Sequence, residues 1–398
     1  MRTLHTLAVA TVAAALLAAC SDNPAAVRKA DGPEAVAPAQ LRLDPIFAEA
    51  ASEFNVPAPL LKAIGYHATE LQMVRSEEEF AGQGRAYGVM ALRGEALTRG
   101  AALAGVSLEA ARSDARANVR AAAALLGAEG SALKLSGGDL AAWAPAVAAY
   151  SGIRDSDLRA GYVKNGVYGV LRNGATVRGT DGSVVASLTP TPVELRDGPG
   201  NTAAAVECAP DFCVSGALWR PNSNFNARPT VPLGDGHTGK VQMIILHTCE
   251  GDYWNGCIQT LIDRGLSAHY VVARPVDMAD GSVQISQLVR ESNRAWHIGA
   301  YYSSTRNSGT HTYLNGVQSN DFTVGIEHAG FASQTTWADT QLNFSARLSC
   351  DISKAYAIPR DRYHLKGHQE LQADKGDPGA AFWTYGTDYI VRVQNYCV

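Results

Sequence analysis

The stretch Val241–Leu246, apolar apart from Gln242 and ending on His247, limits the possible folds of this chain more than any other segment. A run of that kind has no polar face to offer water. It belongs inside a sheet covered on both sides, and it delivers a histidine at its end. Downstream, Ala268–Ala273, Val283–Val289 and Phe322–Glu327 read as further strands, and Gly256–Arg264 and Thr340–Ala357 read as helices. That alternation predicts a mixed α/β domain, a central sheet with flanking helices.

The preceding part of the chain has a different grammar. From Leu41 to about Gly161 it is Ala-rich with helical spacing, as in Ile46, Ala50 and Phe54 and then Leu60, Leu61 and Ile64, so residues 41–161 are expected to form an all-α unit. From Tyr162 the pattern turns to Gly, Pro and Thr, with a strand-like Val184–Leu188 and with Pro190, Pro192 and Pro199 breaking any helix. Residues 162–218, including Val193–Gly200, read as a structured linker, which leaves 219–398 for the α/β domain. A length of 398 residues agrees with more than one domain. Charged residues at 18% and a formal net charge of -4 give no electrostatic reason to expect nucleic acid.

At the N-terminus, Arg2 is followed by an uncharged run from Leu7 to Ala19, short for a membrane span and suited to a secretory signal over 1–20. Its end, Leu17-Ala18-Ala19-Cys20, resembles the bacterial lipobox. That resemblance implies acylation of Cys20 and a lipid anchor holding the protein to a membrane of the cell envelope, on the periplasmic face or at the outer membrane. Ser21–Gln40 then reads as a flexible tether. Six further cysteines in an oxidising compartment predict disulfides. The sequence-local pairs are Cys208 with Cys213, Cys249 with Cys257, and Cys350 with Cys397, although the sequence does not choose among the possible connectivities.

A catalytic zinc takes three protein donors and keeps one position for water, and two imidazoles with a carboxylate meet that need. The candidates are His247 at the end of its strand, His368 in Leu365-Lys366-Gly367-His368, and Asp377 in the stiff turn Lys375-Gly376-Asp377-Pro378-Gly379.

With their flanks, these residues resemble the zinc N-acetylmuramoyl-L-alanine amidases, a family that includes T7-type lysozymes and peptidoglycan-recognition proteins. The resemblance runs from about Trp219 to Trp383. It is carried in order by Trp219-Arg220-Pro221-Asn222, Ile244-Ile245-Leu246-His247-Thr248, Ser267-Ala268-His269-Tyr270, Ala295-Trp296-His297-Ile298-Gly299, Asn320–Glu327 and Lys375–Gly379. It implies one zinc ion held by His247, His368 and Asp377, with Glu327 handling the water proton and Lys375 stabilising the oxyanion. It also implies Tyr270 near the metal, and Trp296 and His297 in the substrate groove. The expected substrate is peptidoglycan or its muropeptides, cut between N-acetylmuramic acid and L-alanine. A non-catalytic wall-binding receptor of the recognition-protein type is the alternative, and a structural tether between membrane and wall a third reading. His311, His328 and His364 match no role and read as structural. The pair Cys249 and Cys257 is similar to the disulfide that recognition proteins place beside the zinc strand.

The helical part resembles lytic transglycosylases, which have a lysozyme-like fold, through Pro59–Ile64, Ala86–Met90 and Ala148–Gly152. Where those enzymes carry a Glu followed by Ser, this chain has Ala68 and Thr69, and alanine donates no proton. The expected role is a catalytically inactive module that either holds glycan strands or serves packing alone, with Glu70 on another face of the helix; an active transglycosylase using Glu70 as a displaced acid is the alternative.

Overall fold

The apolar strand is central, as its composition requires. The computed structural model describes residues 42–195 and 210–397, apart from 215, 230, 231, 234–236 and 239. Cys20, the tether, Cys208 and most of Val193–Gly200 lie outside the described residues. The main sheet has six strands: β1 (Leu218–Trp219), β2 (Met243–Thr248), β3 (Tyr270–Val272), β4 (Ile285–Gln287), β5 (Thr323–His328) and β6 (Leu365–Gly367), in the order β6-β2-β5-β3-β4-β1. The first four of that order are mutually parallel, β4 is antiparallel to β3, and β1 is parallel to β4. Every residue of β2 and β5 is buried.

Alternation divides the side chains of these strands between two faces. Ile244, Leu246, Tyr270, Val272, Val324 and Ile326 form one apolar cluster with the long helix Asp339–Tyr356 and the C-terminal helix Tyr389–Tyr396. Met243 and Ile245 face the other way, against Ile298, Tyr302, Leu314 and Phe322. His328 faces the long helix and is structural: its Nδ1 lies 2.8 Å from the His247 carbonyl and its Nε2 2.6 Å from Ser345 Oγ. Disulfides join Cys249 to Cys257 and Cys350 to Cys397, as two of the sequence-local pairs anticipated.

The helical part packs around one buried helix. We label its helices α1 (Leu43–Glu53), α2 (Ala58–Thr69), α3 (Gly94–Leu103), α4 (Leu108–Ser113), α5 (Ala115–Ala132), α6 (Ala144–Ser151), α7 (Ser156–Gly161) and α8 (Tyr168–Asn173). On α5 the residues Ala121–Leu126 are all buried, because small side chains let α1, α3 and α6 approach on different sides. Asp114 caps α5 by accepting the Ala117 N–H at 2.8 Å.

Two expectations need correction. The helical part is not all-α: within 41–161 it carries a short hairpin pairing Val74–Arg75 with Tyr87–Gly88, while the strand expected at Val184–Leu188 forms and pairs with Ala175–Arg178. Its helices also continue past Gly161, through helical turns at Tyr162–Val167 and then α8. Gly161 and Gly166 are contact points within this stretch, since a Cβ would lie 2.3 Å from the Trp254 indole at the first and 2.6 Å from the His67 ring at the second.

The helical and α/β parts are not separate bodies. Leu41–Val398 is one compact unit, and a single apolar cluster runs from Leu60, Trp143 and Tyr168 into Tyr253, Trp254, Ile258 and Val271. Arg274, on the α/β side, anchors the junction. Its guanidinium makes a two-pronged contact with buried Asp277, at 2.9 and 3.1 Å, and donates to the carbonyl of His67 at 2.7 Å and that of Ala68 at 3.4 Å, near the end of α2. Burial works against the charge on Asp277, but Arg274 and then His67, at 3.1 Å, outweigh it and hold the carboxyl far below its usual range. Arg274→Met should therefore strand a buried carboxylate and two helix-end carbonyls, lowering stability in chemical denaturation by about 3–5 kcal/mol.

Candidate metal centre

The parallel register brings the first two polar groups together. Glu327 on β5 pairs with His247 on β2, so both project from the same face at the C-terminal end of the sheet. On the other side of β2, Gly367 pairs with Leu246 and His368 follows at the start of a short helix. The turn at Lys375–Gly379 returns Asp377 to the same point, where its Oδ2 accepts the Thr248 N–H at 3.3 Å. His247, Glu327, His368 and Asp377 are all buried.

A fifth group joins them from the helical part. Glu79, His247, His368 and Asp377 each offer one donor atom, and these atoms all lie within 4.8 Å of one another. The two Nδ1 atoms are 3.0 Å apart, and each is 3.3 Å from an oxygen of Asp377. Glu79 Oε1 is 2.8 Å from His368 Nδ1 and 3.6 Å from His247 Nδ1. Donors bound at zinc-like distances in a tetrahedron stand about 3.3–3.6 Å apart, close to these separations.

Both imidazoles are oriented from behind. His368 Nε2 meets Gln372 Oε1 at 3.0 Å, and that oxygen also accepts the Gly299 N–H at 3.2 Å. His247 Nε2 meets His297 Nδ1 at 3.0 Å, His297 Nε2 meets Thr323 Oγ1 at 3.1 Å, and Thr323 donates to the Ser319 carbonyl at 2.8 Å. Thr323 gives its only hydrogen to Ser319, so it must accept from His297, which in turn must accept from His247. The chain of bonds places the His247 proton on Nε2 and leaves Nδ1 a free lone pair.

The electrostatics suit a cation. Both oxygens of Glu327 and Oδ1 of Asp377 are buried without a hydrogen bond. Burial, with Glu79 and Asp377 adding to it, pushes the Glu327 carboxyl well above the usual carboxylate range, whereas the imidazoles of His368 and His247 overcome burial to hold Asp377 well below it. Three carboxyl groups and two imidazoles gather here against one ammonium, that of Lys375, a buried oxygen and nitrogen donor set that suits a divalent ion. The residues fit a metal.

Other expected site residues lie elsewhere. Tyr270 does not approach the centre: it pairs with Ile326, on the opposite face of the sheet, and its hydroxyl donates to Glu291 at 2.9 Å. The residue before it, His269, takes the site face and accepts the Gly325 N–H at 3.0 Å. His297 is buried behind His247 and does not line an open groove. Trp296 is half-buried, its indole N–H donating to Asn226 at 3.0 Å. Lys375 reaches the centre but is held by Glu79: its ammonium donates to the Glu79 carbonyl and lies 3.4 Å from Glu79 Oε2. In the helical part Ala68 stands beside a cavity of about 140 Å3 whose walls include Gly251, Asp252 and Asn255 of the α/β part, and Glu70 is exposed, off the end of α2.

A sequence model of the family described as N-acetylmuramoyl-L-alanine amidase matches residues 237–380. N-acetylmuramoyl-L-alanine amidase A of Achromobacter lyticus is 30% identical over 187 residues, which are 42% of this chain and 88% of that protein. The chain belongs to the N-acetylmuramoyl-L-alanine amidase family. N-acetylmuramoyl-L-alanine amidase AmiD of Escherichia coli (strain K12) is 27% identical over 154 residues, 36% of this chain and 50% of the relative. A crystal structure of a selenomethionine AmpD derivative aligns with 47% of this chain and 97% of its own at 21% identity, with a TM-score of 0.33. Glu79 falls outside the span that matches the amidase family model.

The tautomer chain behind His247 can be tested through metal retention. His297→Ala should weaken zinc binding by about 10–100-fold in competition with a chromophoric chelator. Thr323→Val should weaken it less, in the same direction.

Proposed function

We propose that this amidase is a zinc-dependent peptidoglycan hydrolase that cleaves the amide bond between N-acetylmuramic acid and the L-alanine of the stem peptide. The observation that carries this reading is the meeting of His247, His368 and Asp377 beside the unpartnered carboxylate of Glu327, within the span that matches the family.

Zinc bound by His247, His368 and Asp377 would supply Lewis-acid polarisation and a water acidic enough to ionise near neutral pH. The chain's own residues do the rest. Glu327, 4.0 Å from His247 Nδ1, is placed to accept a proton from the attacking water. Its two oxygens are buried with no hydrogen bond of their own, so they are free to hold that proton and pass it to the leaving amine. Lys375 supplies the positive charge for the developing oxyanion once it is released from Glu79. The chain His247, His297, Thr323 holds the first ligand ring in place.

The same proposal covers the surroundings. The lipobox-like Leu17–Cys20 supports export and lipid anchoring at the cell envelope. The helical part is read as a lysozyme-like module without its acid, because Ala68 replaces it.

Mass spectrometry of muropeptides incubated with the full chain tests the activity. Stem peptides beginning with L-alanine are expected with zinc and not with chelator. Glu327→Gln should slow their release by about 10²–10⁴-fold while retaining zinc. Binding of muropeptides without any product, from the wild type and from Glu79→Ala, would make the protein a receptor.

A further inference from the structure

A catalytic zinc keeps one position free for water or substrate, whereas a zinc closed by four protein donors is structural. This centre has four donors, and the fourth comes from outside the matched span. Glu79 Oε1 faces both imidazoles while Glu79 Oε2 faces Lys375. One residue thus fills the place of the water and engages the ammonium that would meet the oxyanion. Its side chain is 2% exposed.

The segment carrying Glu79 is built to hold it there. Residues 77–85 form a loop closed at its base by the hairpin pairing of Val74 with Gly88 and Arg75 with Tyr87, continued by Ser76 N–H to the Ala86 carbonyl at 3.0 Å. Within the loop, Gln83 N–H donates to the Phe80 carbonyl at 2.8 Å, and Phe80 is buried in the shared core. Two straps tie the loop to the segment just after β2: Glu77 N–H donates to Glu250 Oε2 at 2.9 Å, and Gln83 Nε2 donates to the Cys249 carbonyl at 3.3 Å. Glu250 is itself fixed by Thr248 Oγ1 at 3.0 Å and Ala332 N–H at 2.7 Å.

We infer that the loop 77–85 is an intramolecular plug: Glu79 closes the metal centre as its fourth ligand, and the protein folds into a latent state that works only when the loop is withdrawn. The inference rests on the metal-hydrolase reading above and adds a second state to it. The loop joins the rest of the helical part through its hairpin base, so its withdrawal requires release of the two straps and of Phe80 and leaves that base paired.

The test uses the full chain as wild type, Glu79→Gln and Glu79→Ala, with Glu78→Gln, exposed and next in sequence, as control. Each is loaded with cobalt(II) and titrated with azide while the visible absorption is recorded. Azide should change the spectra of the two Glu79 variants at concentrations at least about tenfold below those needed for the wild type and the control. With zinc, the same variants should release stem peptide from muropeptides at least about tenfold faster. Equal azide titrations in all four proteins would overturn the plug. Product from the Glu79 variants alone supports both the plug and the amidase reading. An azide difference with no product from any protein keeps the plug and overturns the amidase.

Discussion

Parallel pairing of β2 with β5 is the constraint on which the site depends. It sets His247 beside Glu327 and, through β6, brings His368 to the same edge of the sheet. Parallel strands end together, and a sheet with both faces covered leaves that shared edge as the place where polar groups can gather. A slip of one residue between β2 and β5 would send Glu327 into the apolar cluster under the long helix and bring Ile326 to the candidate metal centre. The buried apolar residues of both faces therefore hold the register that the chemistry requires.

Much of this was legible in the sequence, because a buried parallel strand has few polar positions and its terminal histidine stands out. Four of the six strands and the long helix follow from local composition, whereas the short strands β1 and β6 have no such signature and the cysteine pairing was left open by the sequence. Faces were harder. Motif order put Tyr270 near the metal, yet the pleat decides orientation, and its neighbour His269 has the site side. His297 carried the right neighbourhood and the wrong depth, since only the fold shows that Gly325 leaves room for its ring against β5. The glycines after Gly161 suggested a linker, whereas Gly166 marks a close contact with His67 of α2 and Gly169 one with Ala279 of the α/β part.

Glu79 was not legible at all. It sits in Glu77-Glu78-Glu79-Phe80, a run that ordinarily faces water, and its partner His368 is 289 residues away. No spacing rule links residues that meet only because two modules pack together. The one local hint is Phe80, an aromatic residue directly after the acidic run, which needed a buried place and took the loop inward with it.

The apolar cluster continuous between the helices and the sheet has a consequence for how such a chain can be rearranged. Recombination between Asn173 and Leu218 would look harmless on paper, since it falls outside both the helices and the main sheet. It would nonetheless unroof Trp254 and Ile258 on one fragment and the surface around Gly161 on the other. The amidase part is thus no interchangeable cassette, and a lineage that exchanged its helical neighbour would have to rewrite the surface left behind.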